Sequence, residues 1–528
     1  MASTRRPGTG RWGRRPDRRI GLLAIAAALV LLAGAGPLPV AAVEPTGGEG
    51  AREVLAARMA DVGVPGAALV VTTVDGSTVV DGLGRTGQGG PVTAQTPFVI
   101  GSTSKSVTAL AVMQLVDEGV VDLDAPVRRY VPELQLAGDA AVDDITVRHV
   151  LQQTSGLPGT AGGPLLKAGR EGSALDAVRE LRDTSPTDVP GARWQYSNAN
   201  YVLAGLVIER AAGVPYPEYV ERRIFAPLGM DDSSATPDGA HQAGVSAGHR
   251  VWFGATVAVG PTIREGIVAA GFLVSTADDM GRYLRMYLRG GLADDGTRIV
   301  SPEGLRTLTA PGPEARLGSW ADGEPVYYAM GWFVGGPWNE PALLHPGNTP
   351  DSSAMLTLLP ARGTAVATLM NLSHEIPLPW NPSVTDRLSR NVVDAVVGEP
   401  ADGGPSIRRF YLVLDLVALA LVAAAGWGLV RAVGSQRRPR PRGGIPTATG
   451  VVVRLALVGV LAVLPGLLGH TWSSLWLWAP DLALVIGLLA VLLLATAVAR
   501  AASLLDGRGG NGGVRSGTPE AEVVGTSP

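Results

Sequence analysis

Three long apolar segments near the C-terminus constrain this 528-residue chain more than any other feature. They span residues 410–430, 451–469 and 478–499, and each approaches the roughly 20 apolar residues that a helix needs to cross a bilayer. The connection between the first two segments contains Arg431, Arg437, Arg438, Arg440 and Arg442. Because cytoplasmic loops are enriched in basic residues, the pattern predicts three transmembrane helices, with the chain before residue 410 on the outer side of the membrane.

The N-terminus predicts export by a separate argument. Its first 19 residues contain seven arginines, and an apolar run from Ile20 to Val43 follows, with the small residues Ala41 and Ala42 near its end. A secretory signal peptide typically has a basic stretch, then an apolar core, then small residues at its cleavage site, and residues 1–43 show this order. An uncleaved N-terminal anchor is the alternative, and it also leaves the following residues outside.

These signals divide the chain into regions. A globular domain spans 51–397, a linker spans 398–409, and the three transmembrane helices follow. Residues 500–528 are rich in Gly, Ser and Thr, which predicts a disordered cytoplasmic tail. The predicted location is therefore the cell membrane, in a multi-pass arrangement with the globular domain extracytoplasmic.

Composition and motif context exclude several functional classes. The net charge of −3 argues against nucleic acid as a partner. The chain has no cysteine, which excludes zinc–thiolate sites and cysteine nucleophiles, and the histidines outside position 345 show no metal-ligand spacing. We therefore expect neither a metal nor another cofactor. Gly244-x-Ser246-x-Gly248 matches the nucleophile elbow of α/β-hydrolases, but no apolar strand precedes it and no helix follows.

The globular domain begins and ends with strand patterns. Ala67–Val71 and Ser77–Val80 flank the turn Asp75-Gly76, and Ser352–Leu359 with Thr364–Met370 predicts a second hairpin. The sequence between them favours helices at Thr103–Glu118, Thr146–Gln153, Ala174–Arg182, Asn200–Ala212, Pro217–Phe225 and Met280–Leu288. This order predicts an α+β fold of the α/β/α type, with one antiparallel sheet built from both ends of the domain around a mostly helical middle.

Lysine is rare in this chain. Only two of its 44 basic residues are lysines, and one is Lys105, three residues after Ser102. Because a guanidinium stays charged whereas a buried amine can lose its proton, a retained lysine favours proton transfer over fixed charge. The i, i+3 spacing at the start of an apolar helix puts both side chains on one face. Ser102 and Lys105 are therefore predicted to be a nucleophile and its base.

Two later segments supply further polar candidates. Tyr196 and Asn198 lie in a loop just before a helix, which suits Tyr196 to share the proton transfer and Asn198 to contact a substrate amide. His345, Gly347 and Asn348 lead into the last hairpin. Glycine allows close approach of the backbone to a ligand, and the Asn348 N–H is predicted to complete an oxyanion hole with the N–H of the nucleophile.

The ordered motifs Ser-x-x-Lys at 102–105, Tyr-x-Asn at 196–198 and His-x-Gly at 345–347 resemble those of serine β-lactamase and penicillin-binding-protein-like hydrolases. The similarity is to the branch of class C β-lactamases, D-alanyl-D-alanine carboxypeptidases and esterases, and it covers residues 51–397. The segments 98–102, 145–151, 154–158 and 273–280 also resemble that branch, in the same order. The resemblance implies that Ser102 is acylated, that Lys105 and Tyr196 move protons, that Asn198 contacts substrate, and that His345 and Gly347 line the pocket.

Three positions depart from the family pattern. His345 stands where many β-lactamases have lysine, which weakens the fixed charge available for a β-lactam carboxylate. Gln153 stands where the family often has histidine, and Phe272 replaces a frequent glycine. We expect neither Gln153 nor Phe272 to touch the acylation chemistry directly.

The sequence thus predicts a membrane-anchored extracytoplasmic serine hydrolase that acts on an ester or amide through a Ser102 acyl-enzyme. Its expected partners are the membrane and a small-molecule or peptide substrate, such as a cell-wall-derived D-amino peptide, a simple ester or a β-lactam-like compound. The alternative is a non-catalytic sensor or assembly protein that binds cell-wall fragments or β-lactams on the same fold. The complete Ser-Lys-Tyr set favours hydrolysis, whereas three membrane helices, where one would anchor a hydrolase, favour the alternative.

Overall fold

The computed structural model describes most of the chain, namely residues 47–76, 78–138, 142–161, 172–312, 315–319, 325–338, 340–374, 383–400, 407–436, 445–467 and 471–506. The chain divides into two units, one of Met1–Val413 with Leu477–Ala479, the other of Leu414–Trp476 with Pro480–Pro528. The predicted signal peptide and the arginine-rich connection at 437–444 lie outside the described residues, as does most of the predicted cytoplasmic tail.

An antiparallel sheet of eight strands organises the first unit. The described strands are β1 (Gly66–Thr73), β2 (Thr78–Gly84), β3 (Phe98–Val99), β4 (Gly248–Trp252), β5 (Ala255–Val259), β6 (Val274–Ser275), β7 (Arg316–Ser319), β8 (Pro325–Tyr328), β9 (Phe333–Val334), β10 (Leu343–Asn348), β11 (Ser353–Leu359) and β12 (Thr364–Met370). The large sheet has the order β2-β1-β12-β11-β10-β9-β8-β7, and β3 pairs with β6 while β4 pairs with β5.

The two predicted hairpins form the middle of this sheet. β1 and β2 are joined through Gly76, which has a φ of +91°, and β11 and β12 are joined through Gly363, with a φ of +58°. Glycine adopts this left-handed conformation without steric cost, so the turns form where the sequence provides it. β1 then pairs with β12, with Ala67 opposite Met370. This pairing confirms the prediction that one antiparallel sheet is built from both ends of the domain.

Helices cover the sheet and fill the middle of the chain. The described helices of the first unit are α1 (Gly47–Val62), α2 (Ser104–Asp117), α3 (Val147–Leu151), α4 (Ala174–Arg179), α5 (Asn198–Ala212), α6 (Tyr216–Val220), α7 (Ala226–Leu228), α8 (Pro237–Gln242), α9 (Val268–Gly271), α10 (Ala277–Leu288), α11 (Pro302–Thr309) and α12 (Val384–Val397). α1 and α12 pack on each other and on the sheet, and α10 packs on β1 and β12. β1, β11 and β12 are consequently buried along nearly their whole length, and the α/β/α class is as predicted.

Helix α2 is central because its sequence is apolar around most of its circumference. Val107, Leu110, Val112 and Met113 are all fully buried, and α2 packs against α5, α9 and α11. The helix is preceded by a 3₁₀ turn, Gly101–Thr103, so Ser102 and Lys105 span the junction of the two helical forms. This burial carries Lys105 into the interior while Ser102 stays near the surface.

The second unit is dominated by apolar helices. Helix α13 (Ile407–Gln436) begins in the first unit, and α14 (Ile445–Leu467), α15 (Trp472–Trp478) and α16 (Pro480–Asp506) follow. Within the part of the chain that the structure describes, three stretches are long and apolar enough to cross a membrane: Phe410–Gly434, Ala448–Leu467 and Pro480–Ser503. They coincide with the three apolar segments of the sequence, and the direction in which the chain crosses remains a prediction.

Candidate active site

The turn before α2 positions Ser102 next to strand β10. Gly101 has a φ of +56°, and a Cβ built on it would lie 2.5 Å from the Asn348 nitrogen. A side chain at position 101 would therefore both strain the backbone and collide with β10. Ser102 is partly exposed, whereas its neighbours Thr103 and Lys105 are fully buried.

The amine of Lys105 has three neighbours. Its Nζ lies 3.0 Å from Ser102 Oγ and 2.8 Å from Asn198 Oδ1, and it also donates to the carbonyl oxygen of Ala270. Burial lowers the pKa of Lys105 well below its usual value, because the charged form loses its hydration. A neutral amine has two N–H groups and one lone pair. Asn198 and Ala270 can accept the two N–H groups, which leaves the lone pair directed at Ser102.

Tyr196 is the second group within hydrogen-bond distance of the nucleophile. Its hydroxyl donates to Ser102 Oγ over 2.8 Å, and Lys105 Nζ lies 4.8 Å from the centre of its ring. The Tyr201 ring also approaches Lys105, at 5.6 Å, but the Tyr201 hydroxyl donates to the Leu151 carbonyl over 2.9 Å. Of these two tyrosines, only Tyr196 is therefore directed at the nucleophile.

Gln153 holds the loop that carries Tyr196. Its carbonyl accepts a hydrogen bond from the Gln195 N–H over 2.8 Å, and its Oε1 accepts from the Ser197 N–H over 2.9 Å and from Asn200 Nδ2 over 2.6 Å. Both chain neighbours of Tyr196 are thus fixed by one residue. Gln153 is fully buried and has a φ of +60°, an uncommon conformation for a residue with a Cβ. The expectation that Gln153 does not touch the nucleophile is consistent with these contacts, but it underestimated the residue's positioning role.

Strand β10 closes the site beside the nucleophile. A Cβ on Gly347 would lie 2.1 Å from the Ile100 carbonyl oxygen, so the strand and the Ser102 turn are in direct backbone contact. The Asn348 side chain is held from two directions. Its Nδ2 donates to Asp386 over 3.3 Å, and its Oδ1 accepts from Ser373 Oγ over 3.3 Å. Desolvation raises the pKa of Asp386 to about 6.

Replacing Gly347 with alanine should force β10 away from the nucleophile. We expect the free energy of unfolding to fall by about 1–3 kcal/mol, as for other over-packed sites, together with a loss of activity. Gly260→Ala is the matched control, because a Cβ on Gly260 meets nothing within 4 Å, and its effect should stay within about 0.5 kcal/mol. Thermal unfolding of both variants measures the difference, and equal midpoints would contradict the close contact.

His345 lies on β10 among aromatic rings. Its ring centre is 5.1 Å from that of Phe333 and 5.9 Å from that of Tyr328, and Trp194 lies 6.4 Å from Tyr196, Tyr328 and Phe333. We call these five rings the aromatic wall. His345 is 1% exposed, and its ring nitrogens lie next to the Tyr328 hydroxyl, at 3.1 Å, and the Pro346 carbonyl oxygen, at 2.7 Å.

The structure therefore brings most of the predicted residues together. Ser102, Lys105, Tyr196 and Asn198 form one hydrogen-bonded group, and Gly347 and Asn348 adjoin its first turn. The ring nitrogens of His345 are directed at neighbouring protein groups. Sequence reasoning missed Ala270, Tyr328, Ser373 and Asp386. Within the described ranges, no group of three or more His, Asp or Glu side chains is arranged to hold a metal ion.

Known proteins resemble this chain in sequence. The model of the family described as Beta-lactamase matches residues 51–380. Penicillin-binding protein 4 of Amycolatopsis lactamdurans is 30% identical over an alignment of 321 residues, and the match covers 58% of this chain and 81% of that protein.

Two solved structures resemble the first unit. The octameric penicillin-binding protein homologue from Pyrococcus abyssi is 26% identical with a TM-score of 0.56, and the match covers 71% of this chain and 80% of that one. The D-stereospecific amidohydrolase from Streptomyces sp. is 24% identical with a TM-score of 0.53, covering 66% of this chain and 98% of that one. The second likeness indicates a common fold only.

Proposed function

The chain belongs to the β-lactamase family, and on that premise we propose that it is a membrane-anchored extracytoplasmic serine hydrolase that forms an acyl-enzyme on Ser102. The family and the three apolar helices together indicate a membrane-associated, hydrolase-like protein. One observation is the main support for the proposed acyl-enzyme on Ser102. Ser102 Oγ lies within hydrogen-bond distance of both the Lys105 amine, at 3.0 Å, and the Tyr196 hydroxyl, at 2.8 Å.

Acylation begins with proton transfer from Ser102 to Lys105. The neutral amine accepts the Oγ proton as Oγ attacks the carbonyl carbon of an ester or amide. The carbonyl oxygen becomes an oxyanion, and the N–H groups of Ser102 and Asn348 stabilise it. Because Gly347 and Gly101 let β10 approach the Ser102 turn closely, the backbone supplies these donors without a charged side chain.

Expulsion of an amine or an alkoxide from the tetrahedral intermediate requires a proton on the leaving group. Tyr196 donates its hydroxyl proton to the leaving oxygen or nitrogen, and Lys105 returns the Ser102 proton to Tyr196. A water molecule then attacks the acyl-enzyme, its proton passes to the Lys105–Tyr196 pair, and the pair returns a proton to Ser102 Oγ as the acid leaves. The cycle consumes one water and restores every protonation state.

The substrate class follows from this chemistry and from the similar proteins. An acyl-enzyme mechanism acts on esters and amides, and the similar proteins include a penicillin-binding protein. D-amino peptides, D-amino acid amides, simple esters and β-lactam-like compounds are therefore the substrates to test. The basic connection after the first apolar helix supports an extracytoplasmic position for the site.

A fluorophosphonate probe tests the nucleophile directly, since it reacts covalently with activated serines. The purified full chain in detergent should be labelled, mass spectrometry should find the adduct on Ser102, and Ser102→Ala should not be labelled. Ser246→Ala is the matched control, because Ser246 is the serine of the competing Gly-x-Ser-x-Gly pattern and is also buried. Labelling that depends on Ser246, or wild-type labelling no faster than that of Ser102→Ala, would contradict the proposal. If Ser102 is not labelled, retained binding of cell-wall peptides would favour the non-catalytic sensor.

A further inference from the structure

We propose that the substrate's leaving group is uncharged, so that the preferred substrates are esters and amides without a free carboxylate beside the scissile bond. This inference rests on the function proposed above, and it concerns the aromatic wall around His345. Tyr196 belongs to that wall and also serves as the proton donor to the leaving group. The leaving group must therefore lie against the wall when the bond breaks.

The ring of His345 offers a ligand neither charge nor a free N–H. Burial lowers the pKa of His345 to about 3, so the imidazole is neutral at physiological pH. Its Nδ1 lies 2.7 Å from the Pro346 carbonyl oxygen, which can only accept, so Nδ1 carries the proton. Nε2 is then an acceptor, and the Tyr328 hydroxyl donates to it over 3.1 Å. Both ring nitrogens are thereby occupied within the protein.

The Trp194 indole N–H is buried and has no hydrogen-bond partner within the described part of the chain, so the remaining accessible surface of the wall is mainly aromatic carbon. Phe333 packs edge-on against Tyr328 with ring centres 4.9 Å apart, and Trp194 packs against Tyr196, Tyr328 and Phe333. Trp194, Tyr196 and Phe333 are each partly exposed, so their rings are available to a ligand. Aromatic faces stabilise apolar groups by burial and ring packing.

A carboxylate at this wall would lose its hydration without compensation from the described residues. Burying a charge is costly unless a cation or several N–H groups replace the lost water. The N–H groups of Lys105 are directed at Asn198 and Ala270, and burial lowers the pKa of its amine, which disfavours the charged form. Arg193, next to the wall in sequence, is paired with Asp188 at 2.6 Å. The wall therefore selects against an anion and for a neutral ester or amide.

Two thioesters that differ only in charge test this inference. Both carry the same N-acyl-D-alanyl group, and the leaving group is mercaptoacetate in one and mercaptoacetamide in the other. The released thiol is measured with the full chain in detergent. We expect kcat/KM to be about 10- to 100-fold higher for the neutral thioester, the range set by a hydrogen bond or ion pair to a charged group. Equal values, or a preference for mercaptoacetate, would overturn the inference.

Installing a cation in the wall should weaken the preference for the neutral substrate. Phe333 is partly exposed and lies 5.1 Å from His345, so Phe333→Lys places an amine at the wall with little risk to folding. We expect it to shift the kcat/KM ratio at least about tenfold towards mercaptoacetate. Phe253→Lys is the matched control, since Phe253 is 44% exposed in the β4–β5 connection, and it should leave the ratio unchanged. An unchanged ratio in a folded Phe333→Lys protein would contradict the role of the wall.

The same protein preparation distinguishes failure of this inference from failure of the proposed function. Labelling of Ser102 by the fluorophosphonate together with a preference for mercaptoacetate would remove the inference and retain the proposed function. Failure of Ser102 to be labelled would remove the proposed function itself.

Discussion

Lys105→Arg is expected to slow acylation of Ser102 by about 100- to 10,000-fold, the usual contribution of a general base. The change introduces a permanent positive charge and removes the only amine next to Ser102 among the described residues. A guanidinium keeps its proton at any pH that the protein survives, so it has no lone pair to accept the Ser102 proton. The rate of fluorophosphonate labelling measures the effect, and a thermal melt establishes that the variant is folded.

Chemical rescue distinguishes proton transfer from a structural role. Lys105→Ala leaves a cavity where the amine stood, and added methylamine should restore labelling, whereas added guanidine should not. A merely structural lysine would be rescued by neither compound. A Lys105→Arg protein that is labelled at the wild-type rate would show that charge, and not an exchangeable proton, is what position 105 provides.

Lys105 should also determine how the acylation rate depends on pH. Because burial lowers the pKa of Lys105, the neutral amine persists to lower pH than it does in an exposed lysine. Protonation removes the lone pair, so the wild-type acylation rate should fall as the pH drops through this lowered pKa and should level off above it. The residual acylation rate of Lys105→Arg should not show this decrease at low pH.

The larger features of the fold could be predicted because they depend on local pattern. The hairpins around Gly76 and Gly363 combine strand residues with turns that need a positive φ, and both appear where the sequence placed them. Strands β7, β8 and β9 are only two to four residues long, so they show no alternation to recognise. Helix α12 was overlooked although Val384, Leu388 and Val392 have helical spacing after the capping residue Ser383.

The residues of the site also fall into two groups, those that a short sequence motif predicts and those that only tertiary packing brings to the site. Ser102 and Lys105 are three residues apart and carry their own signal, and Tyr196 and Asn198 form a second short motif. Ala270 lies 165 residues from Lys105 and acts through its carbonyl oxygen, which every residue possesses, so no side chain marks it. Gln153 was noticed as a departure from the family, but its hold on the Tyr196 loop depends on a backbone conformation that only the structure reveals. Tertiary packing, and not sequence pattern, determines these contacts.

Tyr196→Phe should lower turnover of amide substrates by about 100- to 1,000-fold, since it removes the proton donor and keeps the ring. An amide nitrogen must be protonated as it leaves, whereas a nitrophenolate leaves without a proton. The loss should therefore be much smaller for a p-nitrophenyl ester of the same acyl group, which a general defect of the site would not produce. Comparison of kcat/KM for the two substrates measures this difference.

Tyr201→Phe provides the matched control for that experiment. Its ring approaches Lys105 almost as closely as that of Tyr196, 5.6 Å against 4.8 Å, but its hydroxyl donates to Leu151 and not to Ser102. Loss of this buried hydrogen bond should reduce the free energy of unfolding by about 1 kcal/mol while amide turnover remains near wild type. If the two variants lose turnover equally, or if Tyr196→Phe impairs amide and p-nitrophenyl ester alike, Tyr196 positions the site and another group delivers the proton.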